Sequence, residues 1–221
     1  MGATENMNKK IILLILGIFL LPASVFAGLS NGSLLGYYSF EEAASPYLSI
    51  GTSNANSLSG STAPTRVAGI ITYGQSFDGG GNCVYGTHSD YSNIADTFSV
   101  SFWVKTADPQ GGSYATILGR GTWSSGGWDF RSKEPGNRGI VVFEQNSLSG
   151  NSIQTSETDV LTTDTWRHVV GVIDSGDRYI YVDGALSDDD TYSNTNPTSS
   201  AIFSIGCRNN NDRYADVVVD E

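Results

Sequence analysis

The sequence predicts an all-β chain folded as a two-sheet antiparallel β-sandwich, and three observations predict it. No stretch repeats its apolar residues at the spacing of a helix face, whereas many short stretches alternate apolar and polar residues as half-buried strands do. Gly, Asn, Asp and Ser punctuate those stretches, and Pro64, Pro109, Pro135 and Pro197 fall between them, where a missing N–H costs no ladder bond. Roughly a dozen short strands of this kind are accommodated by two packed sheets.

The candidate strands, in order, are 34–40, 74–78, 82–85, 98–105, 114–119, 128–131, 139–144, 153–157, 166–173, 178–183, 201–205 and 214–219. The run Gly79, Gly80, Gly81 after the second is a turn and not a phosphate cradle, because no helix follows it. In 98–105, Phe98, Val100, Phe102 and Val104 form a core face, while Ser99, Ser101, Trp103 and Lys105 form the other, with Trp103 read as packing beneath a loop. Trp128 reads as a core residue. In 166–174, Trp166, His168, Val170, Val172 and Asp174 share one face, and Arg167, Val169, Gly171 and Ile173 the other. Asp174, Ser175, Gly176 and Asp177 then turn the chain into 178–183, and Asp183 with Gly184 turns it again. The three consecutive acids Asp188, Asp189 and Asp190 read as a solvated loop. The last residues, 215–221, stop while the strand pattern is still running, which predicts a truncated last strand.

Residues 1–27 stand apart from the fold. Lys9 and Lys10 precede the apolar run 11–21, and Pro22, Ser24 and Ala27 end it, the pattern of a secretory signal peptide cleaved after Ala27. The run is short for a membrane span, which needs roughly 20 apolar residues. Residues 28–221 are then one exported domain, secreted or held at the cell surface, with no membrane span of its own.

The formal net charge of −11 disfavours nucleic acid as a partner, since phosphates demand clustered Lys and Arg. Two cysteines in an exported chain, Cys83 and Cys207, are expected to form one disulfide, with two buried thiols as the alternative. Neither has a His or second Cys at metal-ligand spacing.

The segments LLGYYSFEE, YGQSFDGGGNCVY, FSVSFWVK, TWRHVVGVIDSGDRYIYVDGAL, IFSIG and VVVDE occur in an order that resembles the laminin-G-like, concanavalin A-like family. The resemblance covers nearly all of residues 34–221 and implies a concanavalin A-like jelly roll. It does not specify a ligand, because this fold hosts sugar binders, protein binders and hydrolases.

Enzyme readings fail on particular residues. Glycosidases of this kind of sandwich carry Glu, Asp and Glu on one face of a strand, whereas Asp216, Val218 and Asp220 share the matching face here, with an apolar residue in the middle. Gly28, Ser30 and Gly32 match a nucleophile motif only formally, because they sit at the predicted cleavage junction. His168 reads as a half-buried strand residue bonded to backbone or carboxylate, and His88 has no second His to share a metal.

The resemblance further implies a calcium ion tying the first strand to the last, and Glu41, Glu42 and Asp220 are the positions that match; surface charge is the alternative for the two glutamates. Loop aromatics beside amides and charges suit a sugar, whose C–H face covers a ring while its hydroxyls bond the polar groups. Trp123, Tyr114, Tyr214, Asn210, Asp212 and Arg213 are the candidate ligand-binding residues. The expectation is a non-catalytic module binding carbohydrate or an extracellular protein within a longer multidomain chain. An adhesive spacer is the alternative, and a degenerate glycosidase the third reading.

Overall fold

The computed structural model describes residues 34–49, 57–60, 62–86, 97–106, 114–122, 126–132, 139–146, 152–154, 160–191, 202–208 and 212–221. Among them the strands are β1 (Thr65–Ala68), β2 (Tyr73–Asp78), β3 (Val84–Gly86), β4 (Thr97–Lys105), β5 (Thr116–Thr122), β6 (Gly126–Ser132) and β7 (Val141–Asn146). They continue with β8 (Ser152–Gln154), β9 (Arg167–Asp174), β10 (Asp177–Val182), β11 (Ala185–Thr191), β12 (Phe203–Ile205) and β13 (Asp216–Asp220). One sheet has the order β1-β2-β13-β4-β9-β10-β11 and the other β3-β12-β5-β6-β7-β8, every pair antiparallel. The predicted sandwich is therefore the observed fold.

Alternation places the core between the sheets. Phe102 and Val104 of β4 and Val169 and Ile173 of β9 are buried, while Ser99 and Ser101 face outward. From the opposite sheet Trp128, Phe130 and Phe143 point in, with the Phe130 and Phe143 rings stacked at 4.4 Å. Gly171 lies directly beneath that stack: a Cβ there would stand 2.3 Å from Phe130 Cζ, so no larger residue fits without displacing the ring.

Three segments depart from the sequence expectation. Residues 34–40 form no ladder strand; Tyr38 makes a single bridge to Ser49, and the segment contributes the buried rings of Tyr38 and Phe40 instead. β1 was not expected, because TRVA is too short and too polar to signal a strand until β2 pairs with it. The acids 188–190, expected in a loop, lie in edge strand β11, where pairing with β10 fixes the backbone and Asp190 Oδ2 sits 3.1 Å from Nη2 of buried Arg178. The Asp183–Gly184 turn that starts β11 has φ of 50° and 83°, the left-handed pair a tight hairpin requires.

Arg120 is the anomaly of the core. It faces inward opposite Trp128, is 1% exposed, and its three guanidinium nitrogens have no hydrogen-bond partner among the described residues. Burial lowers its pKa, although a guanidinium stays charged at any physiological pH.

Candidate functional site

The link between β12 and β13 is pinned at its start. Cys207 is disulfide-bonded to Cys83 across a Cα separation of 5.4 Å, the geometry such a bond needs, so the expected pairing is observed. Gly206 N donates to Ile117 O at 2.7 Å, and Thr116 N donates to Arg213 O at 2.8 Å, which lays the link against the start of β5. Arg208 and Asp212 close it with two parallel bonds, Nε to Oδ1 at 3.0 Å and Nη2 to Oδ2 at 2.6 Å.

This arrangement brings Arg213 beside Tyr114. The guanidinium carbon of Arg213 lies 5.0 Å from the Tyr114 ring centroid, and that of Arg131 lies 4.9 Å from it. Tyr114 and Arg213 both hold left-handed backbones, φ 57° and 55°, at their point of contact. Such conformations cost energy in residues with a side chain and persist only where surrounding structure enforces them.

Nearby, β6 and β7 turn charged side chains to the outside of their sheet while Trp128, Phe130 and Phe143 turn inward. Asp129 and Glu144 are direct cross-strand partners and are 4% and 7% exposed. Arg131 donates to Glu144 Oε2 from Nε at 2.7 Å and also from Nη2. Its Nε stands 3.8 Å from Asp129 Oδ1, which accepts no hydrogen bond among the described residues. Burial first, and then Glu144, push the Asp129 carboxyl up to about 7, while Arg131, Arg208 and Arg213 pull the other way. Asp129 is therefore largely protonated below that pH.

Of the sequence candidates, Tyr114, Asp212 and Arg213 are brought together here, with Tyr214 half-buried beside Arg213; Trp123 and Asn210 lie outside the described residues. Tyr114 is not the open stacking platform expected, because guanidinium groups attend its ring. Asp129, Arg131, Glu144 and Arg208 were missed. The signal for Asp129, Arg131 and Glu144 was alternation: W-D-F-R in β6 and V-F-E in β7 set charges on one common face once the two strands pair.

The acids near the two ends of the described chain form a second group. Asp220 is fully buried; its Oδ2 accepts from Ile70 N at 2.7 Å and Ile71 N at 3.3 Å, and its Oδ1 has no partner among the described residues. Burial raises its pKa to about 6 against those two bonds, with Glu221 and Glu41 adding repulsion. Burial also raises Glu221, which accepts a hydrogen bond from the Tyr37 hydroxyl. Glu42 Oε1 accepts from Leu48 N at 2.9 Å, and its buried Oε2 has no hydrogen-bond partner among the described residues. Among the described residues, no three His, Cys, Asp or Glu converge tightly enough to cage a metal ion.

The outer face of β4 and β9 carries His168. His168 Nε2 meets Ser101 Oγ at 2.8 Å, a hydroxyl and not the expected backbone or carboxylate, and its ring lies 4.9 Å from that of Trp103. Burial lowers its pKa. His168 and Asp174 stand near opposite ends of β9, about 20 Å apart at a strand's rise, too far to work together. The Ser30 motif and His88 lie outside the described residues.

Two antiparallel sheets of seven and six strands, with the closing strand β13 inserted between β2 and β4, define a concanavalin A-like sandwich. A family model for the concanavalin A-like lectin/glucanases superfamily, of the laminin G kind, matches residues 78–221, and the chain belongs to that family. Domain 4 of AbnA, a GH43 extracellular arabinanase from Geobacillus stearothermophilus solved with arabinotriose, is similar in structure, with a TM-score of 0.64 at 15% identity over 86% of this chain and 92% of that one. The binding domain of botulinum neurotoxin serotype D gives 0.62 at 16% identity, over 87% and 47%. Domains LG4-5 of the mouse laminin alpha1 chain give 0.52 at 18%, over 72% and 42%. The chain thus spans less than half of the latter two. One of these similar structures is named a binding domain, and one is part of a glycoside hydrolase. No curated protein matches in sequence. Among the described residues no helix is long and apolar enough to cross a membrane.

Proposed function

We propose that residues 28–221 form an exported, non-catalytic module that binds carbohydrate. The supporting observation is the rim site: an exposed arginine beside Tyr114, flanked by the Arg208–Asp212 fork and held by a disulfide. Paired donors and acceptors of this kind bond sugar hydroxyls with little reorganisation. A related sandwich of nearly the same length accompanies an arabinanase and was solved with arabinotriose, which favours a glycan over other small ligands. Asp129 and Glu144 do not make this a hydrolase, because both are buried and Glu144 is engaged by Arg131. A glycan array probed with the purified chain tests the reading: selective binding is expected, and no binding with or without calcium would remove it. A mature N-terminus at Gly28 on the exported protein is expected by terminal sequencing.

An extracellular protein is the second reading, favoured by three exposed apolar side chains, Ile70, Ile71 and Tyr73, on and beside the β1–β2 turn.

Calcium belongs to the same proposal. Glu41, Glu42 and Asp220 are the carboxylates the ion would draw together: Asp220 Oδ1 and Glu42 Oε2 are buried with no hydrogen-bond partner among the described residues, and Glu41 repels Asp220. The ion would relieve the repulsion among these carboxylates. Calcium is expected to raise the midpoint of thermal unfolding relative to chelator, and an unchanged midpoint would exclude it.

A further inference from the structure

The chain is acidic overall, with a formal net charge of −11, yet three of its arginines gather around Asp129. Two are matched by carboxylates, Arg131 by Glu144 and Arg208 by Asp212. Arg213 has no carboxylate partner among the described residues; it is exposed, and its guanidinium rests against Tyr114. The Arg208–Asp212 pair beside it is a planar two-point fork, and a guanidinium offers that fork to a carboxylate better than to a spherical anion.

We propose, building on the carbohydrate reading, that this site recognises an acidic polysaccharide, taking the carboxylate of a uronic acid residue on Arg213 beside Tyr114. A planar monoanion completes the one unmatched guanidinium, and the sugar ring then lies along the rim formed by Arg208 and Asp212. A neutral sugar leaves Arg213 with hydroxyl contacts alone, which are weaker than a charge-assisted pair.

Asp129 gives this recognition a direction with pH. The charges facing it are Arg131 on its own strand, Glu144 on β7, and Arg208 and Arg213 from the link before β13; its neighbour on β5 is Gly119. With Asp129 protonated, three guanidinium groups face the two carboxylates of Glu144 and Asp212, and the site holds one net positive charge. When Asp129 ionises, with its carboxyl raised to about 7, that charge is cancelled. Affinity for the uronate is therefore highest below that pH and falls as pH rises through it. Asp129 is buried and acts only through its field.

Titration calorimetry on the purified chain tests this, using a panel of uronic acid trisaccharides, each beside its uncharged parent sugar. Binding of at least one acid trisaccharide is expected to be about tenfold or more tighter than that of its parent at about pH 5.5, and to weaken at about pH 8. Arg213→Gln is expected to abolish that preference, with Arg213→Lys restoring part of it, while unfolding midpoints confirm that both variants fold. Asp129→Asn is expected to keep the acidic affinity and lose its decline with pH, a result that a merely structural Asp129 does not produce. Neutral sugars bound as well as the acids, or an acid preference that survives Arg213→Gln, would overturn the uronate assignment and leave the carbohydrate reading standing. Failure of every saccharide, neutral or acidic, would overturn both.

Discussion

Asp129 shows how a single residue departs from its solution chemistry when a sheet is built around it. Its folded carboxyl lies at about 7, above the unfolded value near 3.8, so folding takes up a proton. The stability it supports is present in full below the unfolded value and is lost as pH rises towards the folded one. Asp220, raised to about 6, acts in the same sense. Thermal unfolding midpoints are therefore expected to fall between about pH 4 and pH 8, by the equivalent of a few kcal/mol. Asp129→Asn should flatten much of that slope, and a slope unchanged in calorimetric scans would refute the assignment. Arg120 makes the opposite point. A buried guanidinium with no hydrogen-bond partner among the described residues forfeits its hydration, and Arg120→Leu is expected to stabilise the fold by about 1–3 kcal/mol in denaturant titrations.

At the scale of elements, the disulfide and the β4–β9 pair carry most of the organisation. Cys83 and Cys207 are separated by 124 positions, so the bond removes much chain entropy from the unfolded state. Cys207→Ser is expected to cost on the order of 4 kcal/mol. It also frees the link that carries Arg208 and Arg213, so glycan affinity should drop even where the domain remains folded, as calorimetry can show. Gly171→Ala tests the sandwich interior: the added methyl must move the Phe130 ring, and a loss of about 1–3 kcal/mol is expected in urea unfolding. The strands with strong alternation, such as β4, β9 and β10, were legible because each presents a complete apolar face. β1 and β11 were not, since TRVA and ALSDDDT acquire strand geometry only from the neighbours that pair with them.

For the whole molecule, the sequence alone determined the class of fold, the two sheets and the family. The fold class and its two sheets follow from period-two alternation and turn chemistry, which are local properties written along the chain, and the family from the order of the six segments that resemble it. It also nominated Tyr114, Asp212 and Arg213, because loop aromatics and charges are visible as residue types. Tertiary structure alone decided that these three meet Asp129, Arg131, Glu144 and Arg208, and that Glu41 lies near Asp220. Strand order decides such meetings: β12 lies beside β5, and β13 lies between β2 and β4, so residues about a hundred positions apart become neighbours. Burial then sets which of them keep their charge. No local pattern encodes either, because both depend on what the rest of the chain packs against each residue.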